Sequence, residues 1–426
     1  MPRPPIDPSR MLRSAWTSPA LRSAVALTLG GAAFALGNLA LARVLPKEEY
    51  GRFSLALAIV MIGILTGPLG AQVIVNRHRT DPGPRLLGRT LSTSGLVALA
   101  LAIGTGALYP LDLPLLAAML CAITAGGCNL VAVGHYQSRQ RYSLSLLLAA
   151  SSSLSLLTAG VVSLIFRPTT ALWPATVFAA CLWVSPAFGW WSAFRDRAAL
   201  GYPDPPYPWG EGMAAVGTIS ASMVLASIER LVIPRALSLP DLATFSVLTT
   251  LAGSPFQMLN QGVGFALLPS LRGARDAAAR RRVLDQEILV VVGACVLSAV
   301  TVWWVTPIVL HHVLAGRYEL TGSLILATIA VGTLKPLGGI AVSAVNAVGS
   351  ARELAILGGI AWTACAVGLC GAWLGVLGGL TGLIYGVGIG WLLRAAASGW
   401  LASRSLQRPD ADNRTGRPLV KVLAEK

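Results

Sequence analysis

Four ionisable residues lie inside long apolar stretches of the chain: Glu229 and Arg230 side by side, Lys335 immediately before Pro336, and Arg394. A charge at the centre of a membrane-spanning helix costs about 2.5–3.5 kcal/mol on insertion scales, so such groups usually face a bundle interior or an aqueous cavity. Three cations against one carboxylate suit an anionic ligand, because a phosphate leaving water must be neutralised by charged, hydrogen-bonding partners. Neighbouring residues on a helix diverge by about 100°, so Glu229 and Arg230 cannot serve as each other's partner. We expect Arg230 to face a cavity and Glu229 to turn to a neighbouring helix, toward Lys335 or Arg394; the bland alternative is that both snorkel to the nearby interface. Lys335 lies near the middle of its stretch, where Pro336 can open the backbone, and is read as a ligand for anionic substrate. Arg394 is about two turns from a membrane edge, within reach of either an ion pair or the interface. Glu229, the sole carboxylate well inside a span, is the candidate for proton or cation coupling, or for an ion pair.

Amides complete the set. Asn38, Gln72, Asn129, Asn260, Gln261 and Asn346 lie within or at the ends of apolar stretches, where they suit sugar hydroxyls, although interhelical bonding is the commoner role of each. The candidate cavity is therefore Arg230 and Lys335 with Asn38, Asn260 and Gln261. His311 and His312 read as interfacial. No metal-ligand cluster, nucleotide loop or nucleophile motif stands in the sequence, so no cofactor is expected and ATP hydrolysis and zinc chemistry have no apparatus.

The elements that must position these residues are membrane helices. Of 426 residues, 54% are hydrophobic and 12% charged, and the mean hydropathy is +0.67; soluble domains carry about 25% charge. Twelve apolar stretches of the length needed to cross about 30 Å of hydrocarbon fall at residues 22–44, 53–75, 91–110, 114–134, 143–166, 169–191, 212–234, 242–268, 287–312, 321–346, 353–377 and 380–402. The net charge of +15 does not indicate nucleic acid, because the 33 Lys and Arg concentrate in alternate loops and the two tails. By the positive-inside rule those loops are cytoplasmic, which places both termini in the cytoplasm. Trp190, Trp191 and Trp400 fall near the basic edges and Trp173, Trp303 and Trp304 near the opposite ones, as interfacial rings should. All six cysteines lie within apolar stretches without ligand spacing and read as packing residues. Gly378, Gly382, Gly386 and Gly390 form a smooth ridge that lets a neighbouring backbone approach.

The chain also repeats itself. Arg43, Leu45, Phe53 and Ser54 in "ARVLPKEEYGRFSLALA" return as Arg235, Leu237, Phe245 and Ser246 in "PRALSLPDLATFSVLTT", each 192 positions later. Both copies fall at the external turn between the first and second helix of a half, on the face that is poor in Lys and Arg overall. Arg43 and Arg235 suit a helix C-terminus, and Glu48, Glu49 and Asp241 suit the positive end of the next helix. Since six helices repeat as six, the halves run parallel and are related by an axis along the membrane normal.

The turn "ALARVLPKEEYGRFSLALAIV", its relative "ERLVIPRALSLPDLATFSVL" and the later "AVNAVGSARELAIL" resemble the polysaccharide transporter family of the multidrug/oligosaccharidyl-lipid/polysaccharide exporter superfamily. The resemblance covers about residues 20–400. It implies an all-α polytopic protein with a V-shaped central cavity between two six-helix bundles, and translocation of a lipid-linked oligosaccharide by alternating access in the plasma (inner) membrane. Partners would be that substrate, membrane lipids and membrane proteins of polysaccharide assembly, with no nucleic acid. The expected organisation is a basic cytoplasmic segment at 1–21, bundles at 22–191 and 212–402, a cytoplasmic linker at 192–211 and a basic tail at 403–426. The rival readings are a cation-coupled exporter of small molecules, a membrane glycan polymerase or ligase, and a non-transporting scaffold. The short external loops disfavour the enzyme.

Overall fold

The computed structural model describes residues 19–406 apart from 81, 199–208 and 275; most of the expected N-terminal segment, half of the linker and most of the tail lie outside the described residues. Among the described residues, fifteen α-helices make up twelve segments. The first half contains α1 (Pro19–Val44), α2 (Lys47–Thr66) with α3 (Ala71–His78), α4 (Pro84–Leu108), α5 (Leu113–Ser138), α6 (Tyr142–Ala149) with α7 (Ser151–Phe166), and α8 (Leu172–Ala198). The second contains α9 (Trp209–Ala236), α10 (Leu239–Leu248) joined by a π-helical turn (Thr249–Gly253) to α11 (Ser254–Gly273), α12 (Ala277–His312), α13 (Gly322–Val348), α14 (Ala351–Gly375) and α15 (Gly379–Leu406). No strand occurs among the described residues.

Length and apolarity alone mark eight helices as able to cross a membrane, nine if α6 and α7, bent by 41°, form one span. That test joins α14 to α15, sees only the 29–44 part of α1, and passes over the broken α10–α11. With each counted as a crossing, the twelve expected segments are all present.

Both halves pack by one plan. In the first, α7 packs on α1, α2 on α5, α4 on α5, α5 on α8 and α7 on α8; in the second, α14 packs on α9, α11 on α13, α12 on α13, α13 on α15 and α14 on α15. Across the seam, α2 meets α9 and α10, and α1 meets α11. Ser54 and Ser246, the pair related by the 192-residue offset, hydrogen-bond to each other through their hydroxyls. Equivalent residues of two related halves can touch only near the symmetry axis, so the pseudo-twofold runs between them.

Local chemistry explains where helices start and break. Glu48 and Glu49 stand in the first turn of α2, and Asp241 in that of α10, where the positive dipole end favours them. Glu49 also accepts a hydrogen bond from the Ala171 amide at 2.7 Å, tying α2 to the start of α8. Ser238 caps α10 by accepting from the Asp241 amide at 3.2 Å. The second segment does not run unbroken from 53 to 75: Gly67, Pro68, Leu69 and Gly70 interrupt it, the last two in left-handed conformations. Gly70 is required there, since a side chain would strike the backbone of Gly212 at the start of α9.

Two other expectations need correction. Trp190 is not interfacial but buried, donating from Nε1 to the Cys128 carbonyl at 2.9 Å. The other five Trp are exposed. Cys121 and Cys370 are exposed rather than buried packing residues.

Candidate functional site

The four intramembrane charges all belong to the second half and converge from α9, α13 and α15. Counting helix rise from the charge-poor end, Arg230 lies about 9 Å deep, and Lys335 and Arg394 about 20 Å deep. Lys335 and Arg394 both lie against the ring of Trp391, with Nζ and Cζ 5.2 and 5.4 Å from its centroid. An indole face attracts cations most strongly of the aromatic side chains, the more so where water is scarce. Arg394 further donates to the Ser222 hydroxyl of α9 at 2.8 Å, closing an α15–α9 link. Trp391 Nε1 is buried without an acceptor.

Glu229 is buried, 4% exposed, on the inner face of α9. Lys335 of α13 and Arg230 are its charged neighbours. Neither Glu229 nor Lys335 forms an ion pair within 4 Å with any described residue. Arg230, one residue on, points the other way, to the seam: its Nη2 lies 3.4 Å from the Thr249 hydroxyl in the π-helical turn, and the Tyr50 phenol of α2 is a principal electrostatic neighbour. The adjacent pair is thus split as helical geometry requires, Glu229 into the second lobe and Arg230 toward the boundary between lobes.

The candidate amides are placed differently from one another. Asn38 is buried and spends its Nδ2 on the Phe34 carbonyl of its own helix, at 3.0 Å. Asn260 packs its Oδ1 against Gly339 of α13. Gln261 lies on α11, and its side chain is outside the described residues. Asn129 is an interhelical joint: Nδ2 donates to the Leu148 carbonyl and the Ser151 hydroxyl, and Oδ1 accepts from Ser185. The freed carbonyl beside the α6–α7 bend is what it satisfies.

Sequence reasoning missed Tyr50, Thr249 and Trp391 as neighbours of the cations. Trp391 carried a signal, lying three residues before Arg394 and therefore on the same helix face. Tyr50 carried none, and the π-helical turn was marked only by Gly253 and the nearby Pro255.

No protein-family model matches this chain, and neither does any curated protein sequence. Solved structures do. The lipid II flippase MurJ, in an inward closed conformation, aligns at 11% identity and a TM-score of 0.64, over 90% of this chain and 87% of its own. A multidrug resistance MATE transporter in an inward-facing conformation aligns at 13% identity and a TM-score of 0.59, over 92% and 96%. The fold is the one these transporters share. A MOP superfamily transporter from Pyrococcus furiosus, described as having a binding pocket of reversed polarity, aligns at 14% identity and a TM-score of 0.53, over 91% and 95%. In the present chain the two-lobe plan is carried by the paired helix contacts and the Ser54–Ser246 axis. Among the described residues, the four charges deep within its apolar spans all lie in the second lobe.

Proposed function

We propose that this chain is a flippase that moves an anionic lipid-linked oligosaccharide from the cytoplasmic to the outer leaflet by alternating access, with both termini cytoplasmic. The observation that carries this reading is the unspent positive charge inside the protein. Three cations, Arg230, Lys335 and Arg394, are set within the spans against a single carboxylate, Glu229. Among the described residues Arg230 has a single long hydrogen bond and Lys335 has none. A guanidinium has five N–H donors and an ammonium three, and leaving them unfilled in a low-dielectric interior is costly. A diphosphate would fill them. An apolar cation, the cargo of a drug exporter, would be repelled by the same groups. The MurJ likeness, although it speaks for fold alone, is compatible with a lipid-linked cargo.

The test is reconstitution into vesicles with a fluorescent polyprenyl-diphosphate sugar. Leaflet exchange should exceed that of empty vesicles and of a Lys335→Met variant. Absence of exchange, together with efflux of a cationic dye from the same vesicles, would overturn the cargo in favour of a small-molecule exporter.

A further inference from the structure

At the charge-poor face each lobe reaches across the seam with one tyrosine. Tyr109, at the end of α4, donates its hydroxyl to the Leu231 carbonyl of α9 at 2.6 Å. Tyr318, in the α12–α13 turn, donates to the Ala42 carbonyl of α1 at 3.2 Å. The two contacts are mirror copies in the repeat: the turn between third and fourth segments of one half grips the last turns of the first segment of the other. Both side chains are buried, 8% and 2% exposed. Tyr318 also meets a cation from the opposite lobe, Lys47, whose Nζ lies 5.4 Å from its ring centroid. Arg317 adds a bond to the Arg43 carbonyl at 2.8 Å.

We infer that Tyr109 and Tyr318 are the paired latches of the gate at the charge-poor face, and that both must release before the lobes part there. The inference deepens the alternating-access reading and rests on it. Carbonyls in the last turn of a helix have no intrahelical donor, so Ala42 gains from Tyr318 a partner that water would otherwise supply. That makes the contact cheap to exchange for water when the gate opens, as a reversible latch requires. Burial pushes the Tyr318 phenol up to about 12, and burial likewise raises that of Tyr109, so both stay protonated donors throughout the neutral range.

The experiment reads opening directly, without substrate. Ser246, 2% exposed below the latches, is replaced by Cys in the full chain in nanodiscs, and labelling by a hydrophilic maleimide is measured against the parent background. Tyr109→Phe and Tyr318→Phe should each raise the labelling rate about two- to tenfold, the range a net hydrogen bond carries. The double variant should give about the product. Tyr136→Phe removes a comparable buried bond, to the Gly189 carbonyl at 3.0 Å, within the first lobe, and should leave labelling unchanged. A double variant labelling at the parent rate, a response to only one tyrosine, or an equal rise in Tyr136→Phe would overturn the paired latch. Because no cargo is present, a negative vesicle translocation result with a positive labelling result removes the flippase reading and keeps the gate.

Discussion

Lys335 is the residue on which the chemistry turns. It sits midway along α13, in contact with the Trp391 ring and without an ion pair among the described residues. Removing one member of a tight buried pair costs about 3–5 kcal/mol because the other is stranded. Lys335 has no such partner, so Lys335→Met, which keeps the stem and drops the charge, should leave the melting temperature in detergent within a few degrees of the parent. Translocation should fall at least tenfold. A variant that melts normally and still translocates at the parental rate would make Lys335 a structural residue. Lys335, Arg230 and Glu229 were legible as sequence because a charge in an apolar run is conspicuous whatever it touches. What each touches was not legible: Gly253 and Pro255 mark the π-helical turn, but nothing in the sequence says that it presents the Thr249 hydroxyl to Arg230. Tyr109 and Tyr318 escaped for a simpler reason. Their acceptors are backbone carbonyls 122 and 276 residues away, and a carbonyl has no sequence signature.

At the level of elements, the α14–α15 pair shows what the glycine ridge is for. Gly371 and Gly375 of α14 face Gly386 and Gly382 of α15 in antiparallel register, each so near the opposing backbone that a Cβ would collide with a carbonyl. Gly390 joins them against Gly368 and Ala364. Gly378, expected in the ridge, is not part of it: it lies in the short 3-10 turn before α15 and has open space around it. The four-residue spacing predicted a ridge correctly over three positions and overran the helix start by one. Gly386→Ala should therefore force the helices apart, at a cost of about 1–3 kcal/mol, seen as a melting temperature several degrees lower. Gly378→Ala should melt like the parent. Equal effects from both would show that the contact is not what the glycines serve. Helix existence and number were legible from apolar length, whereas the α2–α3 break was signalled by Pro68 with its flanking glycines, and the α6–α7 bend only by Ser151, Ser152 and Ser153 after Ala150. The Leu148 carbonyl beside that bend accepts a hydrogen bond from Asn129 of another helix, which the sequence does not announce.

For the whole molecule, the 192-residue repeat sets the common plan of the two lobes. The lobes meet along α1, α2, α9, α10 and α11, and the Ser54–Ser246 contact marks the axis about 10 Å below the charge-poor face, counting helix rise along α2 from Lys47. Lobes that rock about a point near the membrane midplane must separate there whenever the charge-poor side opens. A Ser54→Cys/Ser246→Cys double variant places two thiols where two hydroxyls now touch, so that a disulfide can be sought there. Oxidised, it should hold that side shut and abolish translocation; dithiothreitol should restore it, and either single variant should be indifferent to both reagents. Should the crosslinked protein translocate at the parental rate, the lobes do not part at the axis, and a motion confined to individual helices would have to replace rigid rocking. The latches and the axis are then separable in one experiment: Tyr109→Phe/Tyr318→Phe loosens the rim but cannot free a seam held by a covalent bond beneath it, so adding the tyrosine substitutions to the oxidised pair should rescue nothing.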